Sequence, residues 1–150
     1  MQQTDVDWDH PADPPGERER AHVRAYAATG GADGHLWHGV PTLLLTTLGR
    51  VTGRPVRTPL IYAEDEDRLI VAATASGSPD RPDHPHWYKN VEADPEVRVQ
   101  RGPAPFQAKA RPATRAEREA YWPALTALWP PFEDDEPRTG REVPLVIIQR

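Results

Sequence analysis

The chain of 150 residues contains no cysteine, one methionine and two phenylalanines. Without cysteine there are no disulfides, no thiolate zinc site and no thiol nucleophile, a composition compatible with a reducing cytosol. No stretch approaches the roughly 20 consecutive apolar residues that a membrane-spanning helix needs. Residues 1–20 carry six acidic and two basic side chains around no apolar run, unlike a secretory signal or a membrane anchor. A basic face of the kind that grips nucleic acid is also missing, since the net charge is −5 and the pI about 5.6. These absences point to a single soluble, cytoplasmic domain that acts on a small molecule, without nucleic-acid partners or membrane anchor.

Proline and glycine, by contrast, are plentiful, at 18 and 10 residues. That density interrupts long helices and favours short strands joined by defined turns. Met1 to Gly16, with three prolines among charges, reads as a flexible lead-in, and residues 17–150 as one domain. Glu17 to Thr29 has the pattern of a modest amphipathic helix stopped by Gly30-Gly31. Strands are expected over Thr42–Leu48, Arg57–Glu64 and Arg68–Thr74, the last continuous and apolar enough to be central. Glu64 to Asp67 would form a solvated hairpin tip. Ala75 to His84 reads as a loop long enough to be functional. Pro85 opens a short helix over His86–Glu92. Glu96–Arg101 and Ala104–Arg111 pair as a hairpin, and Thr114 with Glu117 forms a capping box that starts a helix over Arg115–Leu128. Asp134–Arg141 is then a charged loop and Val143–Ile148 a closing strand. The order predicts a mostly β fold with peripheral helices, an antiparallel barrel whose closure removes exposed edges.

The local feature that stands out is Gly49 to Pro59, which places Arg50, Arg54 and Arg57 with Gly49 and Gly53 in one short connection of an acidic protein. Glycines turn backbone N–H groups inward and guanidinium forks match phosphate or carboxylate oxygens, so this is a candidate anion site. The histidine pairs His35/His38 and His84/His86 lack a carboxylate at helical ligand spacing, and no metal is expected. Trp87 and Tyr88 read from the residues alone as core aromatics pinning a short helix, and Trp122, Trp129 and Phe132 as packing along a helix face.

Four separated blocks then fall into a known register: Leu44-Thr46-Thr47-Gly49-Arg50 with Thr52-Gly53, Pro59-Leu60, Val71-Ala72-Ala73, and Pro85-His86-Trp87-Tyr88-Lys89-Asn90. The chain resembles the deazaflavin-dependent nitroreductases, also described as quinone reductases that use coenzyme F420, from about Tyr26 to Ile148. That resemblance implies a split β-barrel of the flavin-reductase and pyridoxamine-phosphate-oxidase kind. It implies a phosphate held by Arg50 and Arg57 with the backbone at Val51 and Thr52, and a cofactor track continuing through Val56, Thr58 and Pro59. Arg54 or Lys89 would meet carboxylates of the cofactor tail. Ala72, Ala73, Thr74 and Ala75 would run along the ring, and His86, Trp87, Tyr88, Lys89 and Asn90 would complete the wall. Thr74 is the candidate to orient the acceptor or relay a proton, and Ile61, Trp129 and Phe132, near Asp135, would face the acceptor. The implied activity is hydride transfer from reduced F420 to a quinone, an activated alkene or a nitroaromatic, by a monomer or homodimer. FMN in the same barrel, or a deazaflavin carrier without turnover, are the alternatives.

Overall fold

Alternation along the second strand sets the architecture: Leu43 and Leu45 face one side with Val97, Val99, Val71 and Ile148, while Leu44 faces the other with Val23 and Tyr26. The computed structural model describes residues 6–74 and 83–150. Its elements are α1 (Glu17–Thr29), β1 (Leu36–Trp37), β2 (Val40–Leu48), β3 (Pro55–Ile61), β4 (Ala63–Asp65), β5 (Arg68–Ala72), α2 (His86–Ala93), β6 (Glu96–Gln100), β7 (Pro105–Pro112), α3 (Arg115–Leu128), a 3-10 segment (Pro130–Asp134), α4 (Asp135–Thr139) and β8 (Leu145–Gln149). The strands pair antiparallel in the order β1-β2-β6-β7-β8-β5-β4, with β3 on the other side of β2.

The curled sheet encloses an apolar interior that α2 fills from one side through Trp87, Tyr88 and Val91. On the outside, α3 inserts Leu125 against Ile70, Ala72, Leu145 and Ile147, and α1 lays Val23 and Tyr26 against Leu44. This is the antiparallel barrel with outer helices that the residue order predicts, in the split form that the resemblance implies. The Tyr26 hydroxyl donates to the Thr42 carbonyl at 3.0 Å and accepts from the Gly102 N–H at 3.2 Å, tying α1 to β2 and to the turn between β6 and β7.

Three expectations are corrected. The apolar strand β5 lies second from an edge, between β8 and β4, rather than centrally; its two faces are buried because α3 covers the outside. Asp134–Arg141 is not loop: a 3-10 segment runs into α4, which Gly140 ends at φ +70°. Arg138 pairs with Asp135 at 2.8 Å one turn away, so the charges support a helix. Within the lead-in, Ala12 bridges Val56 in parallel, Arg57 N–H donates to the Ala12 carbonyl at 3.0 Å, and Trp8 lies 4.3 Å from the Arg98 guanidinium. Residues 8–13 therefore form a strap across β3 and β6, held by contacts that composition does not reveal.

Candidate active site

The Gly49–Arg54 turn closes on itself. Gly49 N–H donates to the Arg54 carbonyl and Gly53 N–H to the Gly49 carbonyl, both at 2.8 Å. Gly53 has φ +73°, and a Cβ at Gly49 would stand 2.8 Å from Thr52 Oγ1 and 2.9 Å from the Arg54 carbonyl oxygen, so both positions require glycine. Val51 and Thr52 form the exposed tip, with Val51 85% accessible.

The first two turns of α2 dock against this turn through His86 and Asn90. Asn90, buried, donates from Nδ2 to Thr47 Oγ1 at 3.1 Å, while its Oδ1 accepts from the Arg50 backbone N–H at 3.2 Å and from the Arg50 guanidinium at 2.9 Å. The same guanidinium donates to His86 Nδ1 at 3.2 Å. Asn90 and His86 therefore fix the direction of Arg50, and the carboxamide couples β2, the turn and α2 in one hydrogen-bonded joint. Lys89 is ion-paired with Asp83, whose carboxyl is held below the ordinary carboxylate range first by that lysine and then by the His84 N–H. Trp87 and Tyr88 are buried in the barrel interior, where core packing is their visible role.

Past the end of β5, Ala73 N–H donates to the Pro144 carbonyl at 2.8 Å and its methyl joins the interior. Alternation sends its neighbours, Ala72 and Thr74, to the outside, where they line a cavity of about 550 Å³. Ala75 lies outside the described residues. Opposite stand Pro59, Leu60 and Ile61 of β3, and the far wall is Trp129, which ends α3, with Phe132 of the 3-10 segment. Six residues expected on the cofactor and acceptor sides, Pro59, Ile61, Ala72, Thr74, Trp129 and Phe132, thus meet at one cavity.

Arg57 goes elsewhere. Its guanidinium donates to Asp13 Oδ1 at 2.8 and 3.2 Å, and it lines a separate hollow with Trp8, Thr46 and Arg98. Burial pushes the Asp13 carboxyl up, but hydrogen bonds and charge from Arg57 and Arg24 outweigh it and hold the group low. Arg50 and Arg57 share no partner, and Arg54 is exposed on the turn between them. Val56 is engaged by the strap at Ala12, and Thr58 pairs with Leu45 within the sheet.

Sequence reasoning did not anticipate the cavity's other walls. One turn of α1 contributes Arg18, Glu19 and His22; the β1–β2 hairpin contributes Trp37 and His38. His22 Nε2 donates to the Gly34 carbonyl at 2.6 Å. The Arg18/His22 spacing of four marks one helix face, a usable signal, whereas the hairpin is only two residues long per arm and falls in what reads as loop.

The sequence model of a family described as F420H(2)-dependent quinone reductase matches residues 18–150. A protein of Mycobacterium tuberculosis (strain ATCC 25618 / H37Rv) named as an F420H(2)-dependent quinone reductase is 33% identical over 140 residues, covering 87% of this chain and 89% of that protein. A solved structure described as an F420-H2 dependent reductase is 34% identical with a TM-score of 0.63, over 73% of this chain and 94% of that one. Another, described as a domain-swapped dimer, is 28% identical with a TM-score of 0.67, over 86% and 92%. With its barrel, its glycine-arginine turn and its aromatic cavity in this register, the chain belongs to the F420H(2)-dependent quinone reductase family.

Proposed function

We propose that the protein is an oxidoreductase in which reduced coenzyme F420 is held at the Gly49–Arg54 turn and a quinone is reduced in the cavity beside Thr74. The observation that carries this reading is the cavity itself, where small Ala72 and Thr74 at a strand end face Pro59 and Ile61 under Trp129 and Phe132. An unsubstituted wall admits a flat ring, and the aromatic roof matches a second flat ring laid over it. The donor set fits an anionic tail: the turn requires glycine at two positions, and Asn90 and His86 hold the Arg50 fork in a fixed direction.

When bound, the deazaflavin supplies a hydride from the carbon that replaces the flavin nitrogen, and the protein supplies position and electrostatics. Arg50, with the backbone of Val51 and Thr52, binds the phosphate; exposed Arg54, and Lys89 when it exchanges Asp83, take tail carboxylates. Arg57 serves the strap instead. Ile61, Trp129 and Phe132 would hold the acceptor against the ring and exclude water from it. The Thr74 hydroxyl orients the acceptor oxygen and passes it a solvent proton. Quinones are the favoured acceptors, as the relatives' names suggest; activated alkenes and nitroaromatics present the same flat, electron-poor face. An assembly of two copies is expected in solution. Among the described residues no helix is long and apolar enough to cross a membrane.

Mixing the purified protein with reduced F420 and a panel of quinones tests the reading. Return of the oxidised cofactor's visible absorbance only when protein and quinone are both present supports it. Binding without turnover favours a carrier, and a yellow protein that purifies with FMN favours the flavin alternative.

A further inference from the structure

Two of the three large apolar side chains exposed among the described residues, Leu36 at 63% and Trp37 at 39%, belong to the β1–β2 hairpin, and Trp37 lines the cavity. The hairpin is minimal. Trp37 pairs with Val40 across a two-residue turn in which His38 has φ +51° and Gly39 φ +78°. Positive φ at both central positions is the pattern of a type I′ turn, which prefers asparagine, aspartate or glycine at the first of them. Histidine is among the side chains that enter this left-handed region most readily after asparagine and aspartate, so the turn can carry an imidazole at its tip.

The side chains are not turned to solvent alone. The rings of Trp37 and Trp129 lie 4.9 Å apart between centroids, and the His38 ring stands 4.4 Å from Trp37 and 5.9 Å from Trp129. The hairpin tip thereby reaches the end of α3 and extends the aromatic wall across the cavity, with an imidazole set among the tryptophans. Apart from the Thr74 hydroxyl at the opposite wall, the other polar groups on the cavity are committed or loosely held. His22 Nε2 and the Thr42 hydroxyl both donate to the Gly34 carbonyl, at 2.6 and 2.8 Å, and Arg18 and Glu19 extend from an exposed stretch of helix on long side chains. His38 presents a ring N–H in its neutral and charged forms alike, and its ring packs edge-on against Trp37 and tilted toward Trp129.

From this geometry we propose that the β1–β2 hairpin determines acceptor specificity: Trp37 packs against the acceptor's ring and His38 donates a hydrogen bond to its carbonyl oxygen. The inference rests on the acceptor cavity described above. It selects flat conjugated ketones, quinones among them, over hydrocarbons of the same outline, because the hydrogen bond has no counterpart in the latter.

The test uses the full-length protein loaded with oxidised F420 and two probes of one outline, menadione and 2-methylnaphthalene, with binding followed by ligand-observed NMR. His38→Gly keeps a turn residue that accepts positive φ and removes the donor, so the fold is preserved. It should weaken menadione about tenfold, the equivalent of about 1.4 kcal/mol, and leave 2-methylnaphthalene and F420 affinity unchanged. Trp37→Leu should weaken both probes at least about threefold, through lost ring contact. Unchanged menadione binding in His38→Gly, or equal loss of both probes, overturns the assignment. Trp129→Ala and Phe132→Ala separate the two levels. If they weaken menadione while His38→Gly does not, the hairpin assignment alone fails; if they do not, the acceptor cavity fails with it.

Discussion

Asn90 offers the sharpest perturbation of the cofactor grip, because one buried carboxamide serves the fold and the site at once. Asn90→Ala removes the bond to Thr47 Oγ1 (3.1 Å) and both bonds to Arg50 (3.2 and 2.9 Å). The buried neutral bond accounts for about 1 to 1.5 kcal/mol, and the charge-assisted bond adds a similar amount after water re-solvates the exposed guanidinium, for about 2 to 3 kcal/mol in all. At 2 to 4 °C per kcal/mol for a domain of this size, the melting temperature should fall by about 4 to 12 °C. The freed Arg50 then loses its fixed direction, and F420 affinity should fall about 5- to 20-fold through lost pre-organisation. The assay is a double-mutant cycle on F420 dissociation constants measured well below the melting temperature. If Asn90 acts through Arg50, Arg50→Ala with Asn90→Ala binds F420 as weakly as Arg50→Ala alone, within about a factor of two. Additive losses would refute the coupling.

Glu117 gives a pH prediction. Its carboxylate accepts from Arg111 at 2.7 and 2.8 Å, from the Thr114 N–H at 2.9 Å and from Arg68 at 3.0 Å, and its pKa is lowered from 4.5 to about 2, first by Arg111. A depressed folded-state pKa stabilises the fold above the unfolded value, and the contribution is lost as pH falls. Glu117→Gln should therefore be less stable than the wild type by about 1 to 2 kcal/mol at pH 7, after allowance for solvent screening, with the gap closing between pH 5 and pH 2 in denaturant titrations. Gly49→Ala, whose methyl meets the Arg54 carbonyl at 2.9 Å, should cost about 1 to 3 kcal/mol and weaken F420 in the same titrations. Thr74→Val keeps shape and removes the hydroxyl; steady-state kinetics with menadione should show kcat lowered about tenfold with F420 affinity unchanged.

The parts of the fold legible in the sequence are those fixed by short-range chemistry. Thr114 and Glu117 form both bonds of the capping box, Pro85 immediately precedes α2 as its extended N-cap, and Gly30 ends α1 in the left-handed region. The resemblance set Ala72 to Ala75 together along the ring, whereas strand alternation turns Ala72 and Thr74 to the cavity and Ala73 into the interior. What escaped depends on long-range partners. The strap is held through Asp13 and Arg57, 44 residues apart, and no local pattern distinguishes an arginine that grips a ligand from one that grips its own chain. Trp37 and His38 were hidden for the same reason, because strands of two residues carry no periodicity and their aromatic partner, Trp129, is far along the chain.

The account turns on which arginine holds the charged end of the cofactor, and the dissociation constants of F420 for Arg50→Ala and Arg57→Ala measure that directly. Loss of one charge-assisted contact should weaken Arg50→Ala by about 10- to 150-fold, while Arg57→Ala, which frees only the strap, stays within about threefold of the wild type. Affinity that survives in Arg50→Ala and collapses in Arg57→Ala would place the charged end of the cofactor in the hollow beside Trp8 and Arg98 and contradict the site described.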